Sequence, residues 1–181
     1  GGYVTGRRDL VCMASYRMTV PGLGGEVGAT LGQNRSLFQG FFMAPHIVGE
    51  SLKGAVFASA LMSKLGFETC PAYDEKRSDI IQAIRFGKPD AVIAFCKGIQ
   101  KGSPVDAFVT PEPWDMPGYD CPVIMACGAF VQGSSIELSA DGPIKPPYTA
   151  YLQGGLVYEH VKLGVMCAAQ ELLNMGFLQL K

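Results

Sequence analysis

Five prolines crowd the stretch SPVDAFVTPEPWDMPGYDCP, residues 103–122, and no other feature limits the fold so strongly. Pro104, Pro111, Pro113, Pro117 and Pro122 each lack an amide proton and hold φ near about −65°, which rules out a regular helix or a central strand. This stretch is therefore a loop between the elements before it and those after it. A connection of this length is not a passive one, and it is expected to pack on something functional.

On the N-terminal side, HIVGESLKGAVFASALMSKLG places Val48, Leu52, Ala55, Val56, Ser59 and Leu61 close to one helical stripe, with Gly66 as its stop. RSDIIQAIRFG alternates at Ile81, Ala83 and Ile84 and predicts a strand. Lys88-Pro89-Asp90 starts a helix over Ala91 to Lys101, since proline is tolerated in a first turn whose amides are free anyway. On the C-terminal side, VIMACGAFVQG and SSIELSA read as adjacent strands joined around Gln132-Gly133, and PPYTAYLQGG supplies another short strand. Antiparallel pairing is the economical arrangement. A last helix spans Tyr158 to Met175 with Val161, Leu163, Val165, Met166, Ala169, Leu172 and Leu173 on its apolar positions. Strands and helices alternate throughout, so the class is α/β or α+β.

The first residues, Gly1-Gly2 followed by β-prone Tyr3-Val4-Thr5, read as a turn and a short strand needing an upstream partner. The chain is accordingly expected to be a processed chain or a C-terminal fragment. Residues 10–31 are Gly-rich without clear periodicity, and Gly22-Leu23-Gly24 fits no dinucleotide loop because the later glycine is displaced from the required spacing.

With 181 residues and 48% hydrophobic content, the chain can bury a core as one domain, or one domain plus part of another. Fifteen basic residues balance sixteen acidic ones without a basic block, so nucleic acid is not an expected partner. The longest apolar runs, Gly54 to Met62 and Leu163 to Ala169, fall short of the roughly 20 residues that cross a bilayer, so no membrane association is expected. Six cysteines without a CxxC pair, mostly among apolar neighbours, fit buried, reduced thiols in a cytoplasmic protein. His46 and His160 have no ligand-spaced partners, so no metal site is expected.

Two clusters carry chemistry. GSSIELSADGPIKPPYTAYLQGG, residues 133–155, gathers hydroxyls, an acid, a base and turn formers, and NRSLFQGFFMAPH, residues 34–46, combines Arg, Gln, paired aromatics and His. No ordinary amphipathic element needs either mixture, which favours a binding or catalytic protein over a bare scaffold.

The segments RSLFQGFFMAPHIVGESLKGAVFASAL, DIIQAIRFG, TPEPWDMPGY and GSSIELSADGPIKPPYTAYLQGGLVYEHVKLGV together resemble the aluminium-resistance, or methionine gamma-lyase-like, family of pyridoxal-phosphate proteins, related to cystathionine beta-lyase. The resemblance is collinear over nearly the whole chain. It implies a fold-type-I pyridoxal-phosphate enzyme, with a large domain built on a mainly parallel sheet and a smaller C-terminal α+β domain of antiparallel strands and helices. Residues 1–46 then correspond to the end of the large domain and an active-site loop, 47–66 to a connecting helix, and 67–181 to the small domain. The Schiff-base lysine is expected upstream of Gly1, so no catalytic residue is assigned within the chain. Consistently, no lysine precedes Lys53, and Lys145 lies among Pro143, Pro146 and Pro147 without an activating acid or hydroxyl nearby.

The implied activity is elimination of a thiol from a sulfur amino acid such as cystathionine or methionine, with pyridoxal 5'-phosphate as cofactor and a homodimer or homotetramer as the assembly. The missing N-terminal part of the same protein is a further partner. An aminotransferase or aldolase on the same scaffold, and a purely structural or dimerisation fragment, are the alternatives. What remains for this chain is phosphate and substrate contacts. Ser36, Gln39 and the backbone at Gly40 are candidate phosphate donors on a loop feeding a helix, against a reading as a simple turn anchored by Phe38, Phe41 and Phe42. Lys145 is a candidate for the substrate carboxylate, where the family pattern has arginine, against a solvated charge beside a proline turn. Ser135 and Glu137 share one face of an expected strand and are candidates to orient a substrate amine or water, against a satisfied polar pair. Tyr148, with Tyr151 and Gln153 on the same parity, is a candidate pocket wall. His46 reads as a cap or site edge, and Trp114 as a loop anchor or an aromatic lid.

Overall fold

The computed structural model describes residues 3–18, 23–26, 32–126, 133 and 135–178. Gly1, Gly2, Gly22, Cys127, Gln132 and Ser134 lie outside the described residues, and with them most of the second half of the strand expected at VIMACGAFVQG. The chain forms two compact units, residues 1–45 and 46–181.

The first unit holds helix α1, Arg8–Met18, a one-turn 3-10 helix at Gly24–Glu26, and the first third of helix α2, Asn34–Lys64. Residues 3–5 are irregular rather than the expected short strand. Helix α1 escaped the sequence reading because it carries no apolar stripe, and none of its residues is buried. Helix α2 begins eleven residues before Pro45 and runs through it, whereas the sequence placed its start after that proline. Proline inside a helix removes one i to i−4 bond, a cost of about 3 kcal/mol, so the pattern favoured a break that the flanking turns bridge instead.

In the second unit, α2 is followed by β1, Glu68–Cys70, β2, Gln82–Arg85, and helix α3, Pro89–Lys101. Beyond the proline-rich segment come β3, Val123–Ala126, β4, Ser139–Pro143, β5, Thr149–Gln153, and helix α4, Tyr158–Asn174. The strands form one antiparallel sheet in the order β1-β2-β5-β4-β3. The pairing and the last two helices match the sequence expectation, and the structure adds β1. SSIELSA does not: Ser135 to Glu137 form a turn, and strand geometry begins only at Ser139. The helical bonds Ile136 N–H and Glu137 N–H make to the Gly133 carbonyl, at 3.1 Å each, coil this stretch before it can join the ladder.

One face of the sheet carries Ile84, Ala150, Leu152, Ala140, Ile124 and Ala126, all buried, with the register Ile84 to Ala150 and Leu152 to Ala140 aligning them. Phe67, Phe86 and Phe95 run through the core with ring centroids 4.8 and 5.1 Å apart. The helices meet through small residues. A Cβ on Gly98 would sit 2.2 Å from Ala168 Cα, one on Gly102 2.6 Å from Gly164 Cα, and one on Gly54 2.6 Å from Val161. The buried face of α2 is consequently Ile47, Ser51, Gly54, Ala55, Ala58, Ser59 and Met62. Of the expected stripe only Ala55 and Ser59 are fully buried; Val48 and Val56 are exposed. Close helix approach selects small side chains there, and a hydrophobicity pattern does not see them.

The proline-rich segment is irregular, as expected, but mostly exposed, against the expectation of packing, and Trp114 anchors it through its backbone: the Trp114 N–H donates to the Val123 carbonyl at 3.1 Å and the reverse bond is 3.0 Å. The Trp114 ring remains half in solvent. No described helix is long and apolar enough to cross a membrane.

Candidate functional site

In the first unit, Ser36, Gln39 and Gly40 lie within the first two turns of α2, not on a loop before it. Spacing of i, i+3 and i+4 puts them on one helix face. All three are exposed, and a Cβ on Gly40 would meet nothing within 4 Å. The first turn of a helix presents amide protons without intrahelical partners and the positive end of the helix dipole, a donor set suited to an anion. Gly40 lies beyond that turn: the Leu37 amide already donates to the Gln33 carbonyl, and the Gly40 amide, seventh in the helix, belongs to the i to i−4 ladder, which leaves the side chains of Ser36 and Gln39 as the open donors among the three. Phe38, Phe41 and Phe42 do not anchor this segment in a core; they are 73%, 77% and 86% exposed.

In the second unit, the candidate residues fall at the two ends of the β4–β5 hairpin. Lys145 and Tyr148 sit in its turn, after Pro143 and before Thr149, while Ser135 and Glu137 precede β4 beside the far end of β5. The strand between them spans roughly 13 Å at about 3.3 Å per residue. The Lys145 ammonium donates to an Asp120 oxygen at 2.9 Å, which raises its pKa and lowers that of Asp120. Tyr148 adopts φ 60° and packs its half-buried side chain on the core, and its carbonyl accepts from Phe86 N–H at 2.9 Å. Tyr151 and Gln153 share the sheet face opposite the core, and Tyr151 is the more exposed.

Ser135 and Glu137 are half-buried and do not share a strand face, because the chain there is a turn. Two residues outside the expected site organise this end. The Ser51 hydroxyl on α2 lies 2.9 Å from the Ser135 carbonyl and 3.2 Å from that of Gly155. Its neighbour Glu50 accepts from the Tyr158 N–H at 2.9 Å, capping α4 from another helix where Val157 offers no side-chain cap. That bond and the Lys53 ammonium, which donates to the other Glu50 oxygen, hold the Glu50 pKa down, the lysine contributing more. The signal was available as an acid and a hydroxyl inside an otherwise apolar helix. On the sheet, Asp141 is largely buried beside Tyr151, and burial pushes its pKa up.

The remaining polar groups do not enlarge the site. Burial lowers the His160 pKa on α4, the smaller opposing effect being its hydrogen bond with the Gly102 backbone. His46 is exposed at the unit boundary. Among the described residues no cluster of His, Cys, Asp or Glu could hold a metal ion. The expectation of buried thiols holds for Cys96 but not for Cys12 and Cys70, which are exposed because α1 has no packed face and β1 is the edge strand. A groove of about 560 Å³ runs beside Leu52, Val56, Phe57 and Tyr158; it is apolar and contains none of the candidate residues.

As a donor set for pyridoxal phosphate, these residues fit the phosphate end and not the aldehyde end. None of the described lysines is buried: Lys97 is half-buried on α3 and the others are exposed, with Lys53, Lys101 and Lys145 in surface ion pairs.

Comparison with known proteins places these features in a family. The profile of the methionine gamma-lyase family matches residues 1–173. The uncharacterized protein YnbB of Bacillus subtilis is 54% identical over 174 residues, covering 96% of this chain and 41% of YnbB. A carbon-sulfur lyase of Clostridium novyi, described as involved in aluminium resistance, is 58% identical with a TM-score of 0.82, covering 91% of this chain and 38% of that one. A Listeria monocytogenes protein described provisionally as a cystathionine beta-lyase involved in aluminium resistance is 47% identical with a TM-score of 0.84, covering 92% and 41% respectively. The chain thus spans about 40% of the length of the relatives compared.

Proposed function

The chain belongs to the methionine gamma-lyase family, and from that premise we propose that it is the C-terminal part of a pyridoxal-phosphate-dependent carbon-sulfur lyase acting on a sulfur amino acid of the cystathionine or methionine type. The observation that carries this reading is the likeness, in sequence and in backbone, to the carbon-sulfur lyase of Clostridium novyi over nearly all of this chain. Residues 1–46 then close the large domain, 47–66 connect, and 67–181 form the small domain.

Bound pyridoxal phosphate supplies an electron sink for charge at the amino acid's α-carbon. The lysine that reacts with its aldehyde belongs to the polypeptide outside this chain, because none of the lysines described here is buried. Ser36 and Gln39, with the free amides of the first turn, hold the phosphate at the start of α2. Ser135 and Glu137 orient the substrate amine or a water. An amino acid's amine and carboxylate share one carbon, so Lys145, roughly 13 Å away at the other end of the hairpin and paired with Asp120, does not reach the carboxylate of that substrate. Tyr148, at the Lys145 end with its side chain packed on the core, does not form part of that wall.

The first unit supports a larger assembly. No residue of α1 is buried, and Phe38, Phe41 and Phe42 face solvent, although helices of this length owe most of their stability to packing. The rest of a family-length polypeptide, in a homodimer or homotetramer, covers this surface, and free cysteines are in keeping with a cytoplasmic setting. The test is a family-length protein containing this chain, assayed with cystathionine and methionine. Release of thiol with an equivalent of 2-oxo acid and ammonia supports the lyase. Transfer of the amino group to added 2-oxoglutarate without thiol release selects an aminotransferase instead.

A further inference from the structure

We propose that Ser51 is a positioning residue: its buried hydroxyl ties helix α2 to the turn carrying Ser135 and Glu137. The proposal rests on the reading of those two residues as substrate contacts. Ser51 is 1% exposed, on the buried face of α2. Its oxygen lies 2.9 Å from the Ser135 carbonyl, 3.0 Å from the Ile47 carbonyl one helical turn back, and 3.2 Å from the Gly155 carbonyl. A serine has one proton to donate, so three acceptors converge on a single donor, and the shortest contact goes to the turn.

The turn runs directly into Leu138, which is 1% exposed, so it sits between that buried side chain and the Ser51 hydroxyl. Its backbone bonds to the Gly133 carbonyl, from Ile136 N–H and Glu137 N–H, are local, and the β4 ladder begins only at Ser139. The opposite wall cannot follow if the turn moves. Gly155 has φ 118°, and a Cβ there would lie 2.2 Å from Val161 Cγ2, so this segment is locked against α4. Glu50, the residue before Ser51, caps the same helix at Tyr158. One turn of α2 therefore holds both sides of the hairpin's far end, and Ser51 reaches the side that bears the candidate residues.

Ser51→Ala removes the donor with a small loss of volume, and Ser51→Thr restores a hydroxyl. In the 181-residue chain, hydrogen exchange at the Ile136 and Glu137 amides is expected to rise by roughly fivefold in Ser51→Ala, the effect of one hydrogen bond, and to return toward wild type in Ser51→Thr. Amides of the β2–β5 ladder serve as the reference and are expected to stay unchanged. In the family-length protein, KM for the sulfur amino acid is expected to rise at least threefold with kcat held within twofold. Unchanged exchange at 136 and 137 overturns the proposal, as does a rise spread equally over the ladder, which marks general loosening. A rise at the turn with unaltered KM also overturns it. Absence of thiol release by the wild-type protein counts against the lyase reading alone, since the exchange result is obtained without turnover.

Discussion

Replacing Gly98 by alanine tests how tightly the small unit is built. The added Cβ would lie 2.2 Å from Ala168 Cα, 2.6 Å from Ala168 N and 2.8 Å from the Cys167 carbonyl carbon, all backbone atoms of α4. Carbon pairs rest at about 3.5–4.0 Å, so the shortfall of roughly 1.3–1.8 Å cannot be met by turning a side chain. Helices α3 and α4 must separate, which strains the neighbouring contact of Gly102 with Gly164. Overpacking of this kind costs about 1–3 kcal/mol, and contact with backbone puts it toward the upper end. Alanine recovers about 0.8–1.0 kcal/mol of helix propensity, leaving a net loss near 2 kcal/mol. At about 2–4 °C per kcal/mol for a chain of this size, Tm should fall by roughly 4–8 °C in a thermal melt followed by circular dichroism. Gly49→Ala is the control, because it is helical and its Cβ would meet nothing within 4 Å; a gain of about 0.5–1 kcal/mol is expected there. A Gly98→Ala protein melting at or above the wild-type temperature would refute the close packing of α3 on α4.

Asp141 gives a pH signature. Its carboxyl is held above its ordinary pKa by burial, so the native state binds the proton more tightly and stability should fall as pH rises from the unfolded pKa near 3.9 through the raised folded value; Asp141→Asn should flatten that slope and stabilise the chain at pH 7, as read by chemical denaturation. Glu50 has the opposite sign: its pKa is held down by Lys53 and the Tyr158 amide, so its contribution is present above about pH 4.3 and is lost as pH falls through the lowered value. Glu50→Gln should accordingly accelerate exchange of the Tyr158 amide at neutral pH, with the difference from wild type vanishing in acid. Native alkylation followed by peptide mapping should label Cys12 and Cys70 and spare Cys96, whose thiol burial pushes far up in pKa; modification of Cys96 at a comparable rate would contradict the packed core.

The elements that sequence made legible are those in which one physical signal dominates. Helices α3 and α4 announce themselves through Pro89 in a first turn and an apolar series ending near Gly176, and β2 and β5 through alternation. The start of α2 was hidden because Gly40 and Pro45 each argue against a helix that length and context sustain. Its buried face was hidden for another reason: contact at Gly54 and Ser51 is set by how near the next backbone comes, which hydrophobicity does not encode. Ser135 and Glu137 alternate like a strand but coil back on Gly133, whose φ of 90° starts the turn. At the candidate site, residue types were legible and their grouping was not. The sequence set Lys145 and Tyr148 beside Ser135 and Glu137, and the hairpin carries the two pairs to opposite ends.

In the proposed function this chain supplies walls of a pyridoxal-phosphate site whose reacting lysine lies elsewhere in the polypeptide. Borohydride reduction after incubation with pyridoxal phosphate, followed by peptide mass spectrometry, tests it directly. No stoichiometric pyridoxyl-lysine is expected in the 181-residue chain, and one is expected in the family-length protein on a lysine outside the segment matching residues 1–181. A single stoichiometric adduct on Lys145, or on any other lysine of this chain, would contradict it.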